Sequence, residues 1–309
     1  MNKIKIKILY LSILLIIFAN FPTLSQEKVD KPNSIPKQKL EKLNLVITDK
    51  EGNFISDLNK DEISLFIDGK EQPIETLEMI EKPLIYILSI DNSGSLRFEI
   101  DEILKSAKSL VSQNNENDLA ALMRFISRDK IQITDKFTSD KKYLHSYLDL
   151  FKVEGGQTAL VDAIYKSVQL VAEQTAIGNN YRRAVIVISD GEERNSDKSE
   201  KDLVKLLEKE NVQVIFISLV ELLSNDGNNF RKSPRKKAED FIEKVSEESG
   251  GFVITPKETK QLSEMTENLI SNLRNQYTLS FLNPANSQDY KVKLAKTSKR
   301  KKLKFSVHK

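Results

Sequence analysis

The feature that most constrains this chain is the run Pro83-Leu84-Ile85-Tyr86-Ile87-Leu88-Ser89-Ile90, which breaks into Asp91-Asn92-Ser93-Gly94-Ser95. A short apolar run without polar alternation has two faces to bury, so it reads as a central strand of a parallel sheet. Its end offers one carboxylate and two hydroxyls at alternate positions, which are oxygen donors for a hard cation. Two later segments supply matching groups. Glu154-Gly155-Gly156-Gln157-Thr158 puts a hydroxyl at a Gly-rich turn before a helix, and Ser189-Asp190-Gly191 puts a second carboxylate after another apolar strand.

Residues 84 to about 220 alternate strand and helix patterns. Ile100, Ile103, Leu104, Ala107, Leu110 and Val111 share one helical face, and Leu160, Ala163, Ile164, Val168, Val171 and Ala172 share another. Strands are expected at 119–125, 131–134, 184–188 and 212–219, with a helix marked by Leu203, Leu206 and Leu207. That order predicts an α/β fold with a doubly wound, mostly parallel sheet, and ligands at the carboxyl ends of its strands. Residues 224–237 read as a polar surface loop. A helix with Ala238, Phe241, Ile242 and Val245 follows, then a short strand at 252–254 and a helix carrying Leu262, Met265, Leu269, Ile270 and Leu273.

The flanks look different. Lys3, Lys5 and Lys7 precede an apolar stretch from Ile8 to Phe18, and Thr23-Leu24-Ser25 has the small residues of a cleavage site. Residues 1–25 are therefore expected to be a secretory signal peptide, and the protein to be exported to the periplasm, cell surface or medium. Cleavage would remove three Lys and no acid, taking the formal net charge from +3 to 0. The absence of cysteine excludes disulfides, thiolate metal sites, a thiol nucleophile and a lipidated cysteine. No later segment is apolar enough to span a bilayer, so no transmembrane segment is expected after cleavage.

Residues 26–41, with Pro32 and Pro36, read as a linker. Residues 42–82 hold short β-type runs bounded by Asx-Gly turns, and strand patterns return over 276–309, leaving 83–275 as the α/β domain. Each terminal β segment is too small to bury a core alone. The two are expected to pair into one sandwich-like module beside the domain.

Asp91, Ser93, Ser95, Thr158 and Asp190 are all oxygen donors. Such a set suits Mg²⁺, with Mn²⁺ or Ca²⁺ as alternatives, over zinc, which prefers nitrogen or sulfur. Taken singly, each piece has a plainer reading as a turn or a helix cap. Their conjunction is more specific, because the topology brings these loops to one sheet edge.

These residues resemble the metal-ion-dependent adhesion site of von Willebrand factor type A domains, whose sheet is Rossmann-like. The likeness spans roughly residues 82–275 and includes all five ligand positions. The flanks, including Asp49, Gly52, Leu58, Asp61, Asp68-Gly69 and the Leu273-Arg274-Asn275-Gln276-Tyr277 transition, are similar to those of a secreted bacterial subfamily. The resemblance implies a cation held directly by Ser93, Ser95 and Thr158, with Asp91 and Asp190 partly through water. An Asp or Glu of a protein partner, in the envelope or the extracellular matrix, would complete the shell. Glu192 and Glu193, beside the Asp190 loop, are candidates for partner contact.

A scaffold role in an envelope assembly would make the metal site structural. A phosphotransfer or phosphatase reading would use Asp91 as acceptor, but the position two residues on is Ser93, where phosphoaspartyl hydrolases carry a carboxylate. No phosphate-binding glycine motif follows any strand, and His145 and His308 lie outside any nucleophile arrangement, so no enzyme activity is expected. The stretch from Lys291 to Lys309 carries nine Lys or Arg and no acid. It reads as two strands with solvated basic faces, and no nucleic-acid partner is expected.

Overall fold

The computed structural model describes residues 40–49, 52–174, 180–223, 226, 232–283 and 287–308. The expected signal peptide and linker residues 26–39 lie outside these. Leu40 and Glu41, the last residues of the expected linker, are already strand.

The described residues begin with β1 (Leu40–Thr48), β2 (Ile63–Ile67), β3 (Lys70–Gln72) and β4 (Ile74–Glu81). The α/β part follows with β5 (Leu84–Asp91), α1 (Ile100–Ser112), β6 (Leu119–Phe125), β7 (Ile131–Ile133), α2 (Lys141–Leu148) and α3 (Leu160–Ala172). It continues through β8 (Arg182–Ser189), α4 (Glu200–Lys209), β9 (Gln213–Ser218), α5 (Pro234–Glu248), β10 (Val253–Ile254), α6 (Leu262–Met265) and α7 (Leu269–Arg274). The last strands are β11 (Asn275–Leu282), β12 (Tyr290–Leu294) and β13 (Lys304–His308).

The central sheet has the order β10-β9-β8-β5-β6-β7, parallel except for β7. Every residue of β5 is buried. Its side chains alternate between two cores: Leu84, Tyr86, Leu88 and Ile90 face one, Ile85 and Ile87 the other. The first core is covered by α1, α2, α6 and α7 through Ile103, Leu110, Leu144, Leu262 and Ile270. The second is covered by α3, α4 and α5 through Ile164, Leu203 and Phe241. Burial on both faces is the physical reason the sequence of β5 shows no polar alternation.

The terminal strands do pair. β13-β1-β11-β4 form one antiparallel sheet and β12-β2-β3 another. They enclose a third core of Leu43, Leu45, Ile47, Leu65, Leu279 and Phe281. Val46, on the opposite face of β1, packs into the first α/β core and joins the two parts.

Several elements differ from the sequence expectations. β4 was not expected; all its residues are exposed or half-buried, so the edge strand that pairs with β11 shows no regular hydrophobic alternation. The segment read as a loop to residue 237 is helical from Pro234, with Ser233 as N-cap accepting the Lys236 N–H and proline in the first turn. The single helix expected over 262–273 is two short ones, α6 and α7.

Candidate metal centre

The strand order reverses between β5 and β8. The chain leaves β5 toward β6, whereas β8 returns on the other side of β5. Loops leaving adjacent strand ends in opposite directions open a crevice, the usual ligand position in open α/β sheets. Ile90 pairs with Ile188 across these strands. Asp91 is the last residue of β5, and Asp190 is the first residue after β8.

Both carboxylates are wholly buried. Asp91 Oδ1 accepts the Ser93 N–H at 2.9 Å, and Oδ2 accepts the Ser189 hydroxyl at 2.7 Å. Burial, and next the charge of Asp190, push the Asp91 carboxyl up to about 7. Burial also raises the Asp190 carboxyl, opposed by the Glu192 amide that donates to Oδ1 at 3.0 Å. Asp190 Oδ2 is buried and meets no donor at full hydrogen-bond geometry, while the Ser95 hydroxyl is close enough to oppose the rise of its carboxyl. Neither carboxylate has a salt-bridge partner among the described residues.

Ser93 is buried and Ser95 exposed, with their hydroxyls 3.0 Å apart. Thr158 is buried, and its carbonyl accepts the amides of Arg194 at 2.9 Å and Asn195 at 3.1 Å. Those two bonds pin the Gly-rich turn against the loop after Asp190. The Ala159 amide donates to Ile126 C=O at 3.1 Å, tying the same turn to the end of β6. All five residues singled out in the sequence thus belong to one end of the central sheet.

The donor chemistry fits a hard divalent cation. Two buried, unneutralised carboxylates are costly as charges, and one carries a buried oxygen that meets no donor at full hydrogen-bond geometry. Among the described residues no group of three or more His, Asp or Glu could hold a metal ion. A cation here would therefore depend on the hydroxyls of Ser93, Ser95 and Thr158 as well as the two carboxylates.

Glu192 and Glu193 have local partners. Glu192 pairs with Arg194 at 2.7 Å. Glu193 Oε2 accepts the Val161 amide at 2.8 Å in the first turn of α3, and Oε1 accepts the Ser196 amide at 2.8 Å. Its carboxylate acts as a helix cap reached from another loop.

Two residues of the site were not assigned a part in the sequence reading. Ser189 donates to Asp91 and accepts the Gly191 N–H at 3.0 Å, linking both carboxylate loops. Asn92, wholly buried, donates from Nδ2 to Lys152 C=O at 2.5 Å and holds the 150–152 segment beside the Asp91 loop. The pairing of serine with the Asp-Gly step was visible in the chain, but its target was not. Gly191 is required where it stands: its φ is +81°, and a Cβ would meet Ile242 Cδ1 at 2.7 Å and Ala238 Cβ at 2.9 Å.

A doubly wound sheet with an Asp-x-Ser-x-Ser loop at its switch point defines an α/β ligand-binding domain. The chain belongs to the von Willebrand factor type A domain family, whose model matches residues 85–268. Among solved structures it is similar to the pilus adhesin SpaC from Lactobacillus rhamnosus GG in its open conformation. That match has 9% identity and a TM-score of 0.51, over 82% of this chain and 43% of the adhesin. It is also similar to an aerotolerance-related membrane protein from Bacteroides fragilis, with 19% identity and a TM-score of 0.44, over 61% and 98% of the two chains. A third match is the conserved hypothetical protein BatB from Bacteroides thetaiotaomicron, with 18% identity and a TM-score of 0.45, over 62% and 98%. At these identities the adhesin match speaks for the fold alone. No curated protein sequence matched. No helix among the described residues is long and apolar enough to cross a membrane.

Proposed function

We propose that this chain is an exported protein-interaction module that binds an acidic group of its partner through a divalent cation, Mg²⁺ or a similar ion. Asp91, Ser93, Ser95, Thr158 and Asp190 would hold the ion. The observation that carries the reading is two buried carboxylates at one crevice with no cationic side chain paired to them among the described residues, one of whose oxygens, Asp190 Oδ2, meets no donor at full hydrogen-bond geometry. The ion would supply an electrophilic centre for an incoming Asp or Glu. The protein's own residues do the rest: Ser189 and the Ser93 amide orient Asp91, and the Glu192 amide orients Asp190.

The surrounding surface suits a protein ligand. Phe98, three residues after Ser95, is 92% exposed, and Leu150, in the segment held by Asn92, is 71% exposed. Exposed apolar side chains beside a polar site are characteristic of interaction surfaces. Binding rather than catalysis is the proposed role, because Ser93 stands where a second reacting carboxylate would be needed. The pilus adhesin whose fold is similar fits an adhesive role of this kind.

The test is capture of partners from envelope or matrix extract by the full chain, with Mg²⁺ and with chelator. Partners retained only with Mg²⁺ and lost with Asp91→Ala support the reading. Partners retained equally with chelator point to a scaffold role in which the β module makes the contact.

A further inference from the structure

Arg182 and Arg183 begin β8, at the end opposite Asp190. Eight residues of strand separate the two ends by roughly 23 Å. A cavity of about 340 Å³ opens here, lined by Asn44, Lys82, Tyr181, Arg182, Arg183, Asn211 and His308. We propose that this cavity is an oxyanion-binding site of the phosphate or sulfate class, with Lys82 and Arg183 as direct ligands and Arg182 as a fixed buried charge.

Arg182 is only 4% exposed, and all its donors go to neutral acceptors. Nε donates to Arg274 C=O at 3.0 Å, Nη1 to Asn44 Oδ1 at 3.3 Å and Gln276 Oε1 at 3.1 Å, and Nη2 to Ile80 C=O at 2.8 Å and Gln276 C=O at 3.5 Å. These bonds immobilise the guanidinium without cancelling its charge. Among the described residues no carboxylate forms a salt bridge with Lys82, Arg182 or Arg183. Arg183 Nε is buried with no hydrogen-bond partner. The cavity wall carries three cationic side chains, Lys82, Arg182 and Arg183, and no carboxylate.

The local field is positive. Burial, then Arg182 and Lys82, push the His308 imidazole down to about 4, and burial, then Arg182 and Lys42, lower the Lys82 ammonium. Such a field, with no carboxylate on the wall, favours an anion over a cation. An oxyanion with several oxygens can accept from a guanidinium and an ammonium together, with Tyr181 and Asn211 as neutral donors at the wall. The cavity is wide enough for such an ion with water, and its walls come from both β1 and β13 and from the α/β sheet. Binding would therefore fasten the β module to the domain.

The test is thermal unfolding of the full chain, free of divalent cation, in sodium phosphate, sulfate, acetate or chloride at matched ionic strength. Phosphate and sulfate should raise Tm by about 5 °C over chloride at saturation. That gain should be lost in Arg183→Gln and in Lys82→Gln, both checked for native circular dichroism. Phosphatidylglycerol vesicles that bind the wild type but not these variants would identify a lipid headgroup as the source. Response to inorganic phosphate alone would identify the free ion, and both outcomes support the site. An equal response to chloride or acetate, or a phosphate gain that survives in both variants, would overturn it.

Discussion

The Ser189 hydroxyl donates to Asp91 Oδ2 at 2.7 Å while accepting the Gly191 amide at 3.0 Å, so one serine orients both carboxylate loops of the candidate metal centre. Replacing it with alanine leaves one Asp91 oxygen without its donor. Ser189→Ala should weaken Mg²⁺ binding by about 1–2 kcal/mol, roughly tenfold, with the fold intact. Calorimetric titration of the variant checks this.

The Asp91 carboxyl, raised to about 7 in the metal-free protein, makes cation binding compete with a proton. Apparent affinity should climb as pH rises toward about 7 and level off above it. The stability sign is the reverse for the metal-free chain. A carboxyl whose folded pKa lies above its unfolded value contributes stability that is full below the unfolded pKa, 3.8. That contribution is lost as pH rises through about 7. Denaturant titrations at pH 5 and pH 8, with and without Mg²⁺, should show the larger metal stabilisation at pH 8.

Gly191 occupies a left-handed conformation and packs against Ala238 and Ile242 of α5. Gly191→Ala should cost about 1–3 kcal/mol through backbone strain and the close Cβ contacts. It should weaken cation binding too, since Asp190 is its neighbour. Urea unfolding and metal titration of the same variant read both effects.

Asp118 tests the opposite end of the sheet. Its wholly buried carboxylate accepts Arg274 Nη1 at 2.5 Å, the Leu84 amide at 2.9 Å and the Asn115 amide at 2.8 Å. Asp118→Ala leaves a largely buried guanidinium without its main partner and should destabilise by about 3–5 kcal/mol. Its Mg²⁺ affinity should be unchanged while the variant remains folded, since the group sits at the start of β5.

Much of this molecule was legible in the chain. β5 announced itself because burial on two faces leaves an unbroken apolar run, and the oxygen donors after it stood at a strand end. Thr158 and Asp190 followed from the alternation of strands and helices. Ser189 was harder to read, since a serine closing an apolar strand looks like any small buried residue until its partner across the crevice is known. β4 was hidden by its composition: Glu75, Glu78 and Glu81 on an edge strand suppress hydrophobic alternation and guard an exposed edge. The start of α5 carried a readable cap at Ser233-Pro234, masked by the basic residues around it. Arg182 looks like a solvated strand start, and its burial depends on β1 and β11, which arrive from the two ends of the chain.

Five residues at the β5–β8 crevice are proposed to hold a divalent cation. Isothermal titration of Mg²⁺ into the full chain at pH 8 tests it most directly. The account predicts a single saturable site in the wild type, abolished by Asp190→Asn in a protein with native circular dichroism. No binding heat in the intact wild type, or equal binding in the variant, would contradict it.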